Sequence, residues 1–304
     1  MTRLIYKRSI RESTLRIYTT FFAKTIFGDY MSIRTDLVLE QQQNCGKDLS
    51  GVESHQESIG NATLCTVKIG TDAAAKELGK PLGTYCTVSF PRLDFVCDTA
   101  DIINATVKSL KAVCKTAPKY ALVVGLGNTD ITPDALGPIV ADRVLATRHL
   151  TDELKRDLGL DGLKSVSTIT PNVLGKTGIE SYDLVSATAK KIKPDIIIAV
   201  DALACRDPER LCRTIQIADS GLCAGSGVNN ARKPLNLATL GIPVIAVGVP
   251  TVIDANSFFN SDENMMVTPK EIDLLVEKAA QILARALNIF LQPELDIDVI
   301  ESLT

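Results

Sequence analysis

Two aspartates, Asp134 and Asp201, follow or end the most apolar stretches of this chain and carry its clearest capacity for chemistry. Ala121-Leu122-Val123-Val124-Gly125-Leu126-Gly127 leads into Asn128-Thr129-Asp130-Ile131-Thr132-Pro133-Asp134, and Asp195-Ile196-Ile197-Ile198-Ala199-Val200 delivers Asp201. In a parallel α/β sheet the carboxyl ends of neighbouring strands open into one crevice, where ligands bind. Two carboxylates in one crevice suit acid–base work, because their surroundings push them toward different protonation states. Thr132-Pro133-Asp134 is a helix-start pattern, with Thr132 as N-cap and Pro133 at the first helical position. The field of that helix favours an ionised Asp134, whereas Asp201, leaving a dry strand, favours its protonated form. The pair also has the option of sharing one proton. A purely structural role for Asp134, as a complement to the helix dipole, stays open at this point.

Other candidates surround this pair in the strand-end loops. Asn128 and Thr132 lie in the loop that carries Asp134, and Asp254 follows the last apolar strand as a cap or orienting group. The stretch 220–232 contains Gly225, Ser226, Gly227 and Arg232. It reads either as a flexible loop turning backbone amides and a cation toward a substrate carbonyl, or as an ordinary connection. Gly125-Leu126-Gly127 lacks the third glycine of a dinucleotide fingerprint; Asp130 stands there, and its charge would repel a pyrophosphate. A tight turn is the better reading of that pair.

Composition narrows the classes. A net charge of −3 gives no basic field for nucleic acid, and no apolar run is long enough to span a bilayer. The eight cysteines include no Cys-x-x-Cys pair and read as reduced core thiols. With only two histidines, His55 and His149, a His/Cys zinc site is not indicated, and no cofactor is called for.

The elements that must position the aspartates read as a βα alternation. Strands are expected at 121–126, 165–170, 195–200, 212–218 and 242–248, with helices at 134–148 and 180–192 between them. Short strands are expected near 63–69 and 85–90, and a helix over 101–116. A last helix is expected to open at Thr268-Pro269-Lys270-Glu271 through a capping box. Residues 1–30 are basic and read as a leader outside the native protein or a disordered tail, with translation starting at Met31. Residues 31–60 read as a polar, loop-like region, and 61–304 as a single α/β domain.

Together these stretches resemble the germination proteases of spore-forming bacteria. The resemblance runs through Ile33-Arg34-Thr35-Asp36-Leu37, Thr132-Pro133-Asp134-Ala135-Leu136-Gly137-Pro138, Asp201-Ala202-Leu203-Ala204 and Gly225-Ser226-Gly227-Val228. It continues through Gly248-Val249-Pro250-Thr251-Val252-Ile253-Asp254-Ala255 and Met266-Val267-Thr268-Pro269-Lys270-Glu271. It implies an α/β three-layer sandwich with a mostly parallel sheet, related to hydrogenase-maturation peptidases. It also implies an atypical aspartic endopeptidase with Asp134 and Asp201 as the catalytic pair. The implied substrates are small acid-soluble spore proteins, the implied assembly a homotetramer, and the implied location the cytoplasm of the forespore and the spore core. A precursor that cleaves itself between Asp36 and Leu37 is implied as well. The rival readings are a metal-dependent maturation-type peptidase, with Asp134, Asp201 and Asp254 as hard ligands, and a non-catalytic peptide-binding module of the same fold.

Overall fold

A computed structural model describes residues 35–45, 49–114, 118–157, 159–160, 162–222, 233–254, 265–296 and 298–300. The chain divides after Ile33 into two units, and the described residues belong to the second. In chain order they form α1 (Val38–Cys45), β1 (Val52–Ile59), β2 (Ala62–Ile69), α2 (Asp72–Leu78), β3 (Gly83–Ser89), α3 (Ala100–Val113) and β4 (Tyr120–Gly125). A 3₁₀ turn at Thr132–Asp134 precedes α4 (Leu136–Asp142), α5 (Asp152–Asp157), β5 (Ser165–Ile169), α6 (Leu174–Thr177), α7 (Ser181–Ile192) and β6 (Ile196–Cys205). The chain then runs through β7 (Thr214–Ala218), α8 (Leu237–Leu240), β8 (Val244–Asp254), β9 (Met266–Val267) and α9 (Ile272–Leu291).

The strands make one α/β sheet in the order β1-β2-β3-β7-β8-β6-β4-β5, with β9 on the far end of β8. Strands β8, β6, β4 and β5 pair in parallel, and antiparallel strands extend the sheet from β8 outward. Of these, β4, β6 and β8 are apolar at almost every position because helices cover both of their faces, whereas the edge strand β5 is Ser/Thr-rich and half-buried. On one face α3, α4 and α9 pack on Val123, Ile198, Ile217 and Val247. On the other, α7 covers Leu122, Val124, Ile197 and Ala199, while α1 and α2 cover Val67, Ile69 and Tyr85. The result is three layers.

Residues expected as an exposed loop before position 60 instead form α1 and β1. Strand β1 is an edge strand with most of its side chains in water, so it shows no apolar alternation and reads as a loop. It is held by its ladder to β2 across a two-residue hairpin at Gly60 and Asn61, with Gly60 in the left-handed region at φ 54°. The helix expected over 134–148 stops at Asp142. Asn288 on α9 takes over the backbone beyond, accepting from Leu145 N and donating to the Arg143 carbonyl. The capping box expected before α9 does not form either: the helix starts after Glu271 without a side-chain cap, and the Thr268 hydroxyl donates to the Thr251 carbonyl.

The close approach of α4 to the strand ends rests on two glycines. A Cβ on Gly137 would lie 2.2 Å from the Leu126 carbonyl oxygen and 2.5 Å from that of Val200. A Cβ on Gly125 would lie 2.2 Å from the Gly137 carbonyl oxygen. All of these obstacles are backbone, which cannot rotate away. Gly137→Ala is therefore expected to destabilise the fold by about 3 kcal/mol or more, at the upper end for overpacked sites. Its urea midpoint, compared with that of an exposed Gly175→Ala control, checks this.

Candidate functional site

Asp134 ends the 3₁₀ turn just before α4, so it precedes the helix instead of lying in its first turn, and Thr132 makes no side-chain cap. The backbone sets its place. Asn128 N donates to the Asp134 carbonyl at 3.0 Å, Asp134 N donates to the Ile131 carbonyl, and the Asn128 side chain accepts from Asp130 N. Gly127, at φ 123°, admits this turn; a Cβ there would be 1.9 Å from the Asp134 carbonyl oxygen. Thr251 on β8 donates its hydroxyl to the Pro133 carbonyl at 2.7 Å, tying the turn to the sheet. Lys176, in the loop helix α6, pairs with Asp130 and joins the loops after β4 and β5.

Strand β4 ends at Gly125, opposite Val200, while β6 runs on to Cys205. Leu126 N still donates to the Val200 carbonyl, and the next residue of β6 is Asp201. Asp201 is 8% exposed, and one of its oxygens accepts from Ala202 N. It stands opposite Gly248 on β8, which in turn stands opposite Gln216 on β7. This cross-strand row has no side chain at its middle position. Asp134 thus follows the end of β4, while Asp201, expected just past the end of its strand, lies inside β6 at the first position beyond the β4 pairing.

The segment 35–40 docks at the same end of β6. Asp36 N donates to the Ala204 carbonyl at 2.9 Å, and the Asp36 carboxylate accepts from Ala204 N at 2.8 Å. Its carbonyl accepts from Lys80 Nζ and from Gln216 Nε2, each at 2.9 Å. Leu37 is wholly buried against Leu203, Cys205 and Ile253, and Val38 against the α2 cluster. Glu40, 4% exposed, accepts from Arg206 N and Asp207 N. Burying Leu37 is worth roughly 1.5–3 kcal/mol, and each hydrogen bond to a charged group about 1.5–3 kcal/mol. Both sides of the Asp36–Leu37 bond are thus held by charge-assisted hydrogen bonds, and the Leu37 side adds apolar burial. A cavity of about 220 Å³ lies beside this segment, lined by Asp36, Lys80, Leu203, Gln216, Ser220 and Gly248, among others. Sequence reading passed over Lys80, Gln216 and Glu40. Only Gln216 left a trace, as the one amide in an otherwise buried strand.

Asp254 closes β8, opposite Met266 of β9, and is buried. Gly225, Ser226, Gly227 and Arg232 lie outside the described residues. Among the described residues no group of three or more His, Cys, Asp or Glu side chains is arranged to hold a metal ion, so Asp134, Asp201 and Asp254 do not form one ligand set. Among the same residues no helix is long and apolar enough to cross a membrane.

Comparison with known proteins places the chain among the peptidases. A family described as germination protease matches residues 32–263, and the chain belongs to that family. It is 37% identical to the germination protease of Clostridium tetani (strain Massachusetts / E88) over 323 aligned residues, covering 90% of this chain and 99% of the relative. It is 43% identical to that of Bacillus cereus (strain ATCC 10987 / NRS 248) over 238 aligned residues, covering 74% and 64%. Among solved structures it overlaps a [NiFe] hydrogenase maturation protease, HycI from Thermococcus kodakarensis KOD1, at 19% identity and a TM-score of 0.35, over 57% of this chain and 94% of that one.

Burial pulls the Lys80 ammonium below its ordinary 10.5, against the opposing pull of Asp36 and Glu40. Between that lowered value and 10.5 the folded chain binds fewer protons at Lys80 than the unfolded chain does, so this group makes stability rise with pH. Burial raises the Tyr85 phenol to about 12, so above 10 its contribution runs the other way and stability falls. Subtracting the urea-unfolding profile of Lys80→Met from that of the wild type is expected to leave a difference that grows in favour of the wild type as pH climbs toward 10.5. A flat difference would show that Lys80 keeps its ordinary proton affinity.

Proposed function

We propose that this chain is the endopeptidase that opens the breakdown of small acid-soluble spore proteins at germination, with Asp134 and Asp201 directing a water molecule onto the peptide bond. The reading is supported by membership of the germination protease family together with one observation. The helix α4 that follows the turn bearing Asp134 is packed through Gly137 against the carbonyl of Val200, the residue before Asp201. That contact brings the helix start behind Asp134 onto the residue before Asp201, which supports a shared acid–base task for the two carboxylates.

In this mechanism one ionised aspartate takes a proton from water while the water oxygen bonds to the scissile carbonyl carbon. The protonated aspartate donates to the carbonyl oxygen. The aspartate that took the water's proton passes it to the leaving nitrogen, and the donor carboxylate takes back a proton from a hydroxyl of the tetrahedral intermediate as its C=O re-forms. The C–N bond breaks, leaving one new carboxyl and one new amine, with no covalent link to the enzyme. Asp134, half-buried, is the base of this scheme, and Asp201, nearly sealed from water, is the acid. An extended, disordered substrate suits a crevice at a sheet rim, because it enters without first being unfolded. The chain is made as a precursor that cuts itself after Asp36, and it works as a homotetramer in the forespore and spore core. The docked segment 35–38 agrees with the first of these points, because the bond after Asp36 already lies at the carboxyl end of β6.

The test is hydrolysis of a purified small acid-soluble spore protein. Asp134→Asn and Asp201→Asn are each expected to lower turnover by about 100- to 10,000-fold. Their melting temperatures should stay within about 4 °C of the wild type, the equivalent of roughly 1 kcal/mol in a chain of this size. A chelator should leave the wild-type rate unchanged. Full activity in either variant removes that residue from the mechanism, and activity lost to a chelator and restored by metal replaces it with a metal-dependent one.

A further inference from the structure

The peptide group between Asp36 and Leu37 has every polar atom engaged. Its carbonyl oxygen accepts from Lys80 Nζ and from Gln216 Nε2, both at 2.9 Å, which fills the two acceptor positions a carbonyl has. Its N–H, on Leu37, donates to the Thr35 hydroxyl at 3.1 Å. The other end of the Gln216 amide accepts from Val38 N at 2.7 Å, so one side chain bridges the bond from its carbonyl to the second N–H beyond it. Gln216 is buried, and the flanking Thr35 and Leu37 are 8% and 0% exposed. Lengthwise, Asp36 pairs with Ala204, three residues past Asp201, or about 10 Å along the strand.

Hydrolysis needs the opposite arrangement. Water must reach the carbonyl carbon, and the acid must reach the carbonyl oxygen. Here that oxygen is saturated by two donors, and Leu37 is pinned under Leu203, Cys205 and Ile253. We propose that Gln216 and Lys80 form a latch that withholds the Asp36–Leu37 bond from the two aspartates, and that its release sets the rate at which the precursor cuts itself. The inference rests on the reading of this bond as the self-cleaved one. Gln216 is here a positioning residue. It holds both sides of the bond and takes no part in proton transfer. Once the bond is cut and the Asp36 end leaves, Leu37, Val38 and Glu40 keep their own anchors, while Gln216 Nε2 and Lys80 Nζ lose the Asp36 carbonyl beside the cavity on that face.

The test follows cleavage after Asp36 in the full-length chain by N-terminal sequencing and intact mass. Gln216→Met keeps the side chain's length and removes both of its polar ends. Val38→Pro removes only the N–H that Gln216 accepts, at the first residue of α1, where proline is tolerated. Each single variant is expected to self-cleave about 10-fold faster, the scale of one or two net hydrogen bonds. The double variant should be within about 2-fold of Gln216→Met, because both changes act on one clamp. Val185→Ala, on the buried face of α7 away from the segment, is the control for general loosening and should cut at the wild-type rate.

Slower cutting in the single variants would mean that Gln216 presents the bond, and would overturn the latch. Unchanged rates, additive effects, or equal acceleration in Val185→Ala would overturn it too. If the wild type digests a disordered substrate and no chain ever cuts after Asp36, self-processing and the latch both fall while the endopeptidase reading survives. If Asp134→Asn combined with Gln216→Met still cuts faster than wild type, the latch stands and the two-aspartate mechanism falls.

Discussion

The geometry of the rim depends on a contact that only glycine permits. Gly137 lets the start of α4 lie directly on the carbonyls of Leu126 and Val200, and Gly125 gives way to the Gly137 carbonyl in turn. Any side chain at these positions would push the helix off the strands by the width of a methyl group. Asp134 is three residues before Gly137 and Asp201 is one after Val200, so that push would go straight into their separation. Catalytic pairs lose much of their effect with displacements of about 1 Å. The Thr251 hydroxyl on the Pro133 carbonyl and the Asn128 amide on the Asp134 carbonyl hold the same turn from two other sides. Each such bond is worth only about 0.5–1.5 kcal/mol, so they set direction, while packing against the sheet supplies the strength.

A second consequence follows from the unequal strand lengths. Because β4 stops at Gly125 and β6 continues to Cys205, the chain beyond Val200 loses its β4 neighbour. The groups left over there are taken up by Asp36 at Ala204 and by Glu40 at Arg206 and Asp207. An N-terminal segment is thereby recruited to the end of the strand that bears Asp201. The antiparallel strand β7 then supplies Gln216 from the far side of β8. The site therefore draws on both halves of the sheet, the parallel half for its carboxylates and the antiparallel half for its grip on the segment.

How much of this was legible in the sequence follows from what each element is buried against. Strands β4, β6 and β8 were plain because both faces are covered and almost every residue is apolar. Asp134 and Asp201 stand out for the same reason, as charges beside such runs, although β6 runs on through Asp201 to Cys205 where the sequence suggested an end at Val200. Strand β1 was hidden because an edge strand in water has no apolar period. The capping box at Thr268 was misleading because its hydroxyl has a better-placed partner on β8, the Thr251 carbonyl, which no local pattern reveals. Lys80 could not be found at all: its carbonyl partner is 44 residues away in sequence, and Gly79-Lys80-Pro81 reads as an ordinary turn. Gln216 was within reach, since a lone amide in Thr214-Ile215-Gln216-Ile217-Ala218 asks for a buried partner.

The central claim is that water is the nucleophile and that neither aspartate bonds covalently to the substrate. Single-turnover hydrolysis in ¹⁸O-labelled water, with enzyme in excess, tests it at the atoms concerned. Mass spectrometry of the product and of the enzyme peptides containing Asp134 and Asp201 then locates the label. Direct attack by water puts one ¹⁸O in the new carboxyl group of the product and none in either aspartate. Label in the side chain of Asp134 or Asp201 would show that the carboxylate had bonded to the substrate and been released by water, and would contradict the account.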